Sequence, residues 1–236
     1  MKTGTYVIDF GTEFNSILNG ADGEEILNQE YQSAWNAFSY DNVDLYYLDI
    51  NKVSMVMEAR TEGATTTYYV KIGPGDYSSY LSSTFANKKE IEDADAYIKD
   101  IRNQVMSILG PYNNAMKIKV VNEWMIDNLS YENIEGNNNK YNLYGAIVET
   151  KVVCEGYARM FKYIMDGLNI PCILVSGTAT NSEGETELHA WNYVELNGQW
   201  YAVDVTWNDP VVIGEGELTD CLLYTSPSPR DPKTSR

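Results

Sequence analysis

Basic side chains are scarce in this sequence of 236 residues. Lysine and arginine together number 17, against 34 aspartates and glutamates, which leaves a net charge of −17 at pH 7. Proteins that bind nucleic acid or anionic membranes need clusters of basic residues to meet the phosphates. The sequence has no such cluster. We therefore predict that neither nucleic acid nor an anionic membrane surface is a partner.

Long apolar runs and paired metal ligands are also missing. The sequence contains no run of about 18 apolar residues, the length that a helix needs to span a bilayer. Residues 1–10 also lack the basic and apolar regions of a signal peptide. The three cysteines include no Cys-x-x-Cys pair typical of zinc sites, and no acidic loop has EF-hand spacing. We therefore predict no membrane span, no disulfide framework, no metal and no other cofactor.

Histidine occurs only once, as His189. It lies between Cys154 and Asp204, in a segment of residues 152–210 that also contains several tryptophans. Each residue alone is more often structural, since a lone cysteine usually behaves as a small buried hydrophobe. Together, a thiol, an imidazole and a carboxylate are the groups that nucleophilic catalysis by cysteine requires.

Cys154 stands at the start of a predicted helix with one apolar side. Apolar residues recur after it at three- and four-residue spacing, with polar residues opposite. The apolar set is Tyr157, Ala158, Phe161, Ile164, Met165 and Leu168, and the opposite set is Arg159, Lys162 and Asp166. The unpaired N–H groups of a first helical turn stabilise a thiolate and could receive an oxyanion. Gly156 is expected to let a substrate backbone approach.

His189 and Asp204 are predicted to meet across a β-hairpin. Residues 188–196 and 200–207 are rich in aromatic and β-branched residues, and Asn197-Gly198 between them is a strong hairpin signal. A two-residue turn pairs Leu196 with Gln199 and makes His189 and Asp204 diagonal neighbours on one face, with Cβ atoms roughly 6 to 8 Å apart. A three-residue turn would place the two groups on opposite faces. The register is therefore part of the prediction.

Roles follow from this geometry. Cys154 is the expected nucleophile, His189 the acid–base group, and Asp204 the residue that fixes the imidazole tautomer. Asp209 is the rival carboxylate, but its place after the strand and before a proline favours a role in a turn. A metal site is the weaker use of the same three residues.

Five short motifs follow one another in this segment. They are Val-Cys-Glu-Gly-Tyr-Ala at 153–158, Ile-Pro-Cys at 170–172, Val-Ser-Gly at 175–177, His-Ala-Trp-Asn at 189–192 and Trp-Tyr-x-Val-Asp-x-Thr-Trp at 200–207. Together they resemble the core of the bacterial transglutaminase-like superfamily. The resemblance covers about residues 117–210, and Asn169 stands where the family often has glycine.

The resemblance implies an α+β, papain-like fold with a Cys-His-Asp triad at Cys154, His189 and Asp204. It also implies acyl transfer or peptide hydrolysis on a protein or peptide substrate. Relatives are often exported or anchored at the cell surface, which implies an extracellular or surface location. The residues expected to bind substrate or stabilise an oxyanion are Tyr144, Glu155, Gly156, Trp191 and Trp207.

Three segments are predicted along the chain. Residues 1–85 form a companion subdomain, with a helix at 24–38 and a three-stranded meander at 43–50, 53–60 and 65–72. Residues 86–220 form the catalytic domain, which we expect to be truncated at its C-terminus, with helices at 88–109 and 114–128. Residues 221–236 resemble a translated sequencing adaptor and are expected to be a non-native tail. Without that tail two cysteines remain, and Cys172 is expected to be buried and structural.

The sequence therefore predicts a cysteine enzyme that forms a thioester on Cys154. Hydrolysis is favoured over protein crosslinking, because water is the default acceptor and amine transfer requires a site that excludes it. The alternative is a transglutaminase-like domain without activity that serves as a binding module or surface scaffold. A replaced member of the triad would favour that alternative, and none is replaced.

Overall fold

The structure is a computed structural model that describes residues 5–77, 79–180, 184, 186–209 and 224–225. These residues fall into two compact units. The first lies within Met1–Ser39 and Leu45–Glu92, and the second within Tyr40–Asp44 and Asp93–Arg236. The boundary predicted between residues 85 and 86 stays a prediction. Of the expected tail, only residues 224–225 are described, and the other residues of that segment lie outside the described part.

The first unit contains a three-stranded antiparallel sheet and two helices. The strands are β1 (Tyr6–Gly11), β2 (Ser54–Glu62) and β3 (Thr65–Gly73), in the order β1-β3-β2. The helices are α1 (Asn15–Leu18) and α2 (Gly23–Asp41), and a 3₁₀ turn covers Ile50–Lys52. The predicted helix at 24–38 and the two later strands are confirmed.

The predicted first strand of the meander, at 43–50, is wrong. Within it, Leu48 makes a single isolated bridge to Leu81, and the third strand of the sheet is β1. Val43 and Tyr46 are both buried. In a strand, side chains three residues apart point to opposite faces, so this pair does not fit a strand with one buried face. In β1, by contrast, Tyr6 is 53% exposed. This strand has no buried face, so its sequence lacks the alternation of apolar and polar residues by which a strand is predicted.

The second unit is a mixed α+β structure. Its helices are α3 (Lys88–Ile108), which begins in the first unit, α4 (Asn114–Asn128), α5 (Cys154–Gly167) and α6 (Val205–Asn208). Strands β4 (Ser130–Tyr131) and β5 (Lys151–Val152) pair in parallel, and between them lie a 3₁₀ turn at Asn138–Tyr141 and a π turn at Gly145–Glu149. A four-stranded sheet follows, β6 (Cys172–Thr180), β7 (Thr186–Leu196), β8 (Gln199–Val203) and β9 (Tyr224–Thr225), in sequence order.

Helix α5 packs on this sheet and is buried more completely than its sequence predicts. Ala158 forms a core cluster with Leu174 of β6 and Ala190 of β7. The predicted polar side is covered at Arg159 and Lys162, which are only 8% and 7% exposed, while Asp166 is exposed. Their charges are satisfied locally, which buried charges require. Arg159 binds Glu155, and the ammonium of Lys162 binds the Asp166 carboxylate and the carbonyl oxygen of Cys172.

Two turns explain how the sheet is built from the sequence. Asn197 and Gly198 have φ values of 54° and 79°, as a type I′ hairpin requires, and Leu196 pairs with Gln199. The predicted two-residue register is therefore confirmed.

Before β6, Asn169 has a φ of 55°. This left-handed conformation favours glycine and next asparagine, which accounts for the departure from the family at this position.

Within the described residues, no helix is long and apolar enough to cross a membrane. The same residues contain no group of three or more histidine, cysteine, aspartate or glutamate side chains that could hold a metal ion.

Candidate active site

Cys154 is the first residue of α5. It is half-buried and packs against the cluster of Ala158, Leu174 and Ala190. The preceding Val153 is extended (φ −100°) and occupies the N-cap position without a side-chain acceptor. The N–H groups of Gly156 and Tyr157 donate to the Val153 carbonyl, and no capping side chain competes for those of Cys154 and Glu155, which can face an anion.

His189 lies on β7 and contacts both other members of the predicted triad. Its Nε2 donates to Asp204 Oδ2 at 2.6 Å, and its ring is within hydrogen-bonding reach of the Cys154 thiol. Because Nε2 is engaged by Asp204, Nδ1 is the nitrogen left for the thiol. The imidazole and the carboxylate are largely withdrawn from water, with side-chain exposures of 3% and 13%.

These contacts change the charge state of His189. Burial lowers the pKa of the imidazole, but the hydrogen bonds and negative charges of Asp204 and Cys154 outweigh it and raise the pKa to about 9. The ring is therefore an imidazolium at neutral pH. A positive charge beside a sulfur atom favours the thiolate, the nucleophilic form of cysteine.

Asp204 reaches His189 in a different way from the one predicted. The pairing of β7 with β8 ends at Asn192 opposite Val203, so the predicted strand at 200–207 stops four residues early. Asp204 is instead the N-cap of α6, where its Oδ1 accepts from Trp207 N at 3.1 Å. Aspartate is among the best N-cap residues, and this preference outweighs the strand-like composition of the residues that follow.

Two of the tryptophans expected to bind substrate stack against the imidazole. The ring centroids of Trp207 and His189 are 4.8 Å apart with an angle of 22°, and those of Trp191 and His189 are 5.9 Å apart with an angle of 17°. Trp191 is half-buried and Trp207 is 48% exposed. Both side chains are therefore placed to restrict the ring, and Trp207 also has an open surface beside it.

The other predicted site residues have different surroundings. The carboxylate of Glu155 accepts from Arg159 Nη2 at 2.7 Å. A Cβ atom on Gly156 would lie 2.5 Å from Val152 Cβ and 2.7 Å from Lys140 O, so this glycine lets another part of the same chain approach, and the expected space for a substrate backbone is absent there. Tyr144 precedes the π turn and is half-buried; its role stays a prediction.

Two tyrosines near the thiol had no signal in the sequence. Tyr40 packs against the same cluster as Cys154. The pKa of Tyr131 is raised first by burial and next by its proximity to Cys154. These residues precede the cysteine by more than one hundred and by about twenty positions, and only the tertiary fold brings them beside it.

Asp209, the rival carboxylate, makes a different contact. It follows α6, and its Oδ2 accepts from the hydroxyl of Tyr157 at 2.6 Å. The carboxylate that binds His189 is that of Asp204.

Cys172 is buried, as predicted, and burial raises the pKa of its thiol.

The second unit has recognisable relatives. Residues 102–205 match the family described as the Transglutaminase-like superfamily. A kyphoscoliosis peptidase from Mus musculus is 25% identical over 157 residues, which cover 59% of this chain and 23% of that protein, and the protein of the same name from Homo sapiens matches to the same extent. The chain thus spans less than a quarter of the length of these curated relatives.

A solved structure described as a TGase is also similar. It shares 16% sequence identity with a TM-score of 0.45, over 78% of this chain and 50% of that one. The family match confirms the resemblance seen in the motifs and the α+β, transglutaminase-like fold class. Residues 102–205 of this chain are therefore similar to the transglutaminase-like superfamily.

Proposed function

We propose that this protein is a cysteine-dependent acyl-transfer enzyme that acts on peptide or amide bonds through a thioester on Cys154. The observation that carries the proposal is the position of His189, which contacts Asp204 on one side and the thiol on the other. The start of α5 adds N–H groups beside the sulfur. A nucleophile, an acid–base group and an orienting carboxylate in contact are the arrangement that such catalysis needs.

The proposed reaction has two steps. In the first, Cys154 Sγ attacks the substrate carbonyl carbon, and the first-turn N–H groups of α5 receive the developing oxyanion. The imidazolium of His189 gives its proton to the leaving amine as the C–N bond breaks, which leaves a thioester. In the second, His189 removes a proton from water or an amine as that acceptor attacks, and the sulfur leaves as thiolate. Asp204 holds the ring and its charge throughout.

Water is the proposed acceptor. Trp207, which stacks on the imidazole, is 48% exposed. An acceptor amine would compete with water at a position this open, since amine transfer depends on water being excluded. Peptidase activity therefore ranks above crosslinking, and a protein or peptide is the proposed substrate.

The test uses p-nitrophenyl acetate as a small acyl donor. We expect a burst of p-nitrophenol, an acetylated Cys154 peptide in the mass spectrum, and loss of both in Cys154→Ser and His189→Ala. Cys172→Ser is the matched control, because that thiol is buried and should not contribute. Adding glycine ethyl ester then separates the acceptors, since amide formation at the expense of acetate would favour transfer to amines over hydrolysis.

Two outcomes would contradict the proposal. One is a folded protein whose acylation is unchanged in Cys154→Ser. The other is no acylation of a folded protein by the ester or by a library of peptides, which would favour the binding or scaffold alternative.

A further inference from the structure

Helix α6 carries the carboxylate that orients His189, yet it has only four residues, Val205–Asn208. A helix this short has no stability of its own in water. Its few backbone hydrogen bonds include Asn208 N to Asp204 O at 3.1 Å and Asp209 N to Thr206 O at 3.2 Å. The direction of the Asp204 carboxylate must therefore depend on what holds α6 in place.

The first contact that holds α6 is a hydrogen bond from α5, and we call such a contact a tie. Tyr157 is fully buried, and its hydroxyl donates to Asp209 Oδ2 at 2.6 Å, just beyond the end of α6. Burial, followed by the hydrogen bond to Asp209 and its negative charge, raises the pKa of Tyr157. The phenol therefore stays protonated and remains a donor to the carboxylate. A hydrogen bond from a buried neutral donor to a carboxylate is among the stronger ones in proteins.

The second tie runs from α4. Asn208 Nδ2 donates to Asn122 Oδ1 at 3.1 Å, and Asn122 is 2% exposed. The end of α6 is thus attached to two longer helices through side chains. Its start is attached through Asp204, whose Oδ1 caps the helix while Oδ2 meets His189.

We propose that Tyr157 and Asp209 are positioning residues that fix the Asp204 carboxylate against His189, with Asn122 and Asn208 as a second tie. Tyr157 lies one turn after Cys154 on the same helix. One rigid element therefore sets the position of the nucleophile and, through Asp209 and α6, the position of the carboxylate on the far side of the imidazole. The inference rests on the proposed function for its catalytic meaning, and its geometric content can be tested without turnover.

The single histidine makes that test direct. In the reduced full chain, purified with a tag that contains no histidine, the imidazole gives one signal whose pH titration by NMR reports the His189 pKa. We expect Tyr157→Phe and Asp209→Ala to lower this pKa by about one unit or more, because a misaligned carboxylate stabilises the imidazolium less. Asp209→Asn, which keeps an oxygen acceptor but lacks the charge, should retain more of the shift than Asp209→Ala.

Tyr163→Phe is the matched control. This tyrosine is also buried on α5, but its ring lies under the guanidinium of Arg102, 4.5 Å away. We expect its titration to match that of the parent protein. The double variant Tyr157→Phe/Asp209→Ala should lower the pKa no further than the larger single effect, since both changes remove one contact.

The outcomes separate the two proposals. If the His189 pKa is the same in the parent, Tyr157→Phe and Asp209→Ala, or if Asp209→Asn behaves like Asp209→Ala, the positioning role is wrong. Should Tyr157→Phe fail to fold, the Asn and Ala variants of the half-exposed Asp209 decide alone. If the parent never acylates but the titrations differ as expected, the proposed function fails and the positioning inference stands.

Discussion

His189 has a defined neighbour on each side of its ring. Asp204 binds Nε2, the Cys154 thiol lies within reach, and Trp191 and Trp207 stack on the ring. The side chain can therefore turn little about its bonds to the backbone. At the scale of residues, the sequence allowed the thiol, the imidazole and the carboxylate of the proposed site to be chosen, since each is a distinct chemical type in a distinct local setting.

The first residue-scale prediction concerns the charge beside Cys154. We expect His189→Ala to slow alkylation of Cys154 by iodoacetamide at pH 7 about tenfold, because the imidazolium that favours the thiolate is gone. Peptide mass spectrometry separates Cys154 from Cys172, whose buried thiol should react only after unfolding and serves as the internal control. Equal rates in the parent and variant would mean that the ring does not act on the sulfur.

Gly156 gives a second prediction at this scale. Glycine to alanine within a helix is ordinarily stabilising by roughly 0.5–1 kcal/mol, but here the new methyl group would meet Val152 and the carbonyl of Lys140. We expect Gly156→Ala to lower the free energy of unfolding by about 1–3 kcal/mol, measured by urea denaturation.

Gly167→Ala on the same helix is the control for that measurement. Its new methyl group would meet the side chain of Arg102, with Cδ at 2.9 Å, and this flexible chain can move aside. A loss in Gly156→Ala no larger than in Gly167→Ala would contradict the steric explanation.

At the scale of elements, local sequence predicted the β7–β8 hairpin correctly but did not predict α6. The Asn197-Gly198 turn fixes the register of β7 on β8 because both residues adopt positive φ. The same local reasoning failed at Asp204, where a strand-like composition continues but capping by aspartate begins a helix. The register ends with Asn192 opposite Val203, and the N-cap position of Asp204 then brings its carboxylate to His189.

Asp204 has two functions that substitution can separate. Asp204→Asn keeps an oxygen to accept from Trp207 N but removes the charge, so we expect the His189 pKa to fall below about 9 and the unfolding free energy at neutral pH to fall with it. Asp204→Ala removes both, and should cost about 1 kcal/mol more because the cap is lost. NMR titration and urea denaturation measure the two effects, and equal stability of the variants would contradict the capping role.

At the scale of the whole molecule, the raised pKa of His189 makes folding depend on pH. The pKa is about 9 in the folded protein, against the ordinary value of about 6.5 for an imidazole in an unfolded chain. Folding therefore favours the protonated ring, so its contribution is fully present below pH 6.5 and is lost as pH rises through 9.

Urea denaturation at several values between pH 6 and 9.5 measures this dependence. We expect the free energy of unfolding to fall across the interval in the parent protein and to fall less in His189→Asn. The variant keeps the acidic residues of the chain, so it also controls for their mutual repulsion. Parallel curves for the two proteins would mean that His189 is not stabilised as an imidazolium.

What the sequence determined by itself is local. The spacing of apolar residues determined the helices α4 and α5, and two positive-φ residues determined the hairpin register. The motifs around Cys154, His189 and Asp204 indicated the similarity to the transglutaminase-like superfamily. Each of these depends on interactions between residues close in the chain, where helical and strand periodicities leave a direct trace.

Only the tertiary structure decided the rest. It placed β1 rather than residues 43–50 in the first sheet, buried the charged side chains of Arg159 and Lys162, and packed Tyr40 against the same cluster as Cys154. It also tied Asp209 to Tyr157, 52 positions apart. Such contacts depend on which surfaces the packing of helices and sheets brings together. The local sequence is the same whether a polar side chain becomes buried or stays exposed. Only packing against parts of the chain that are distant in sequence decides which of the two occurs.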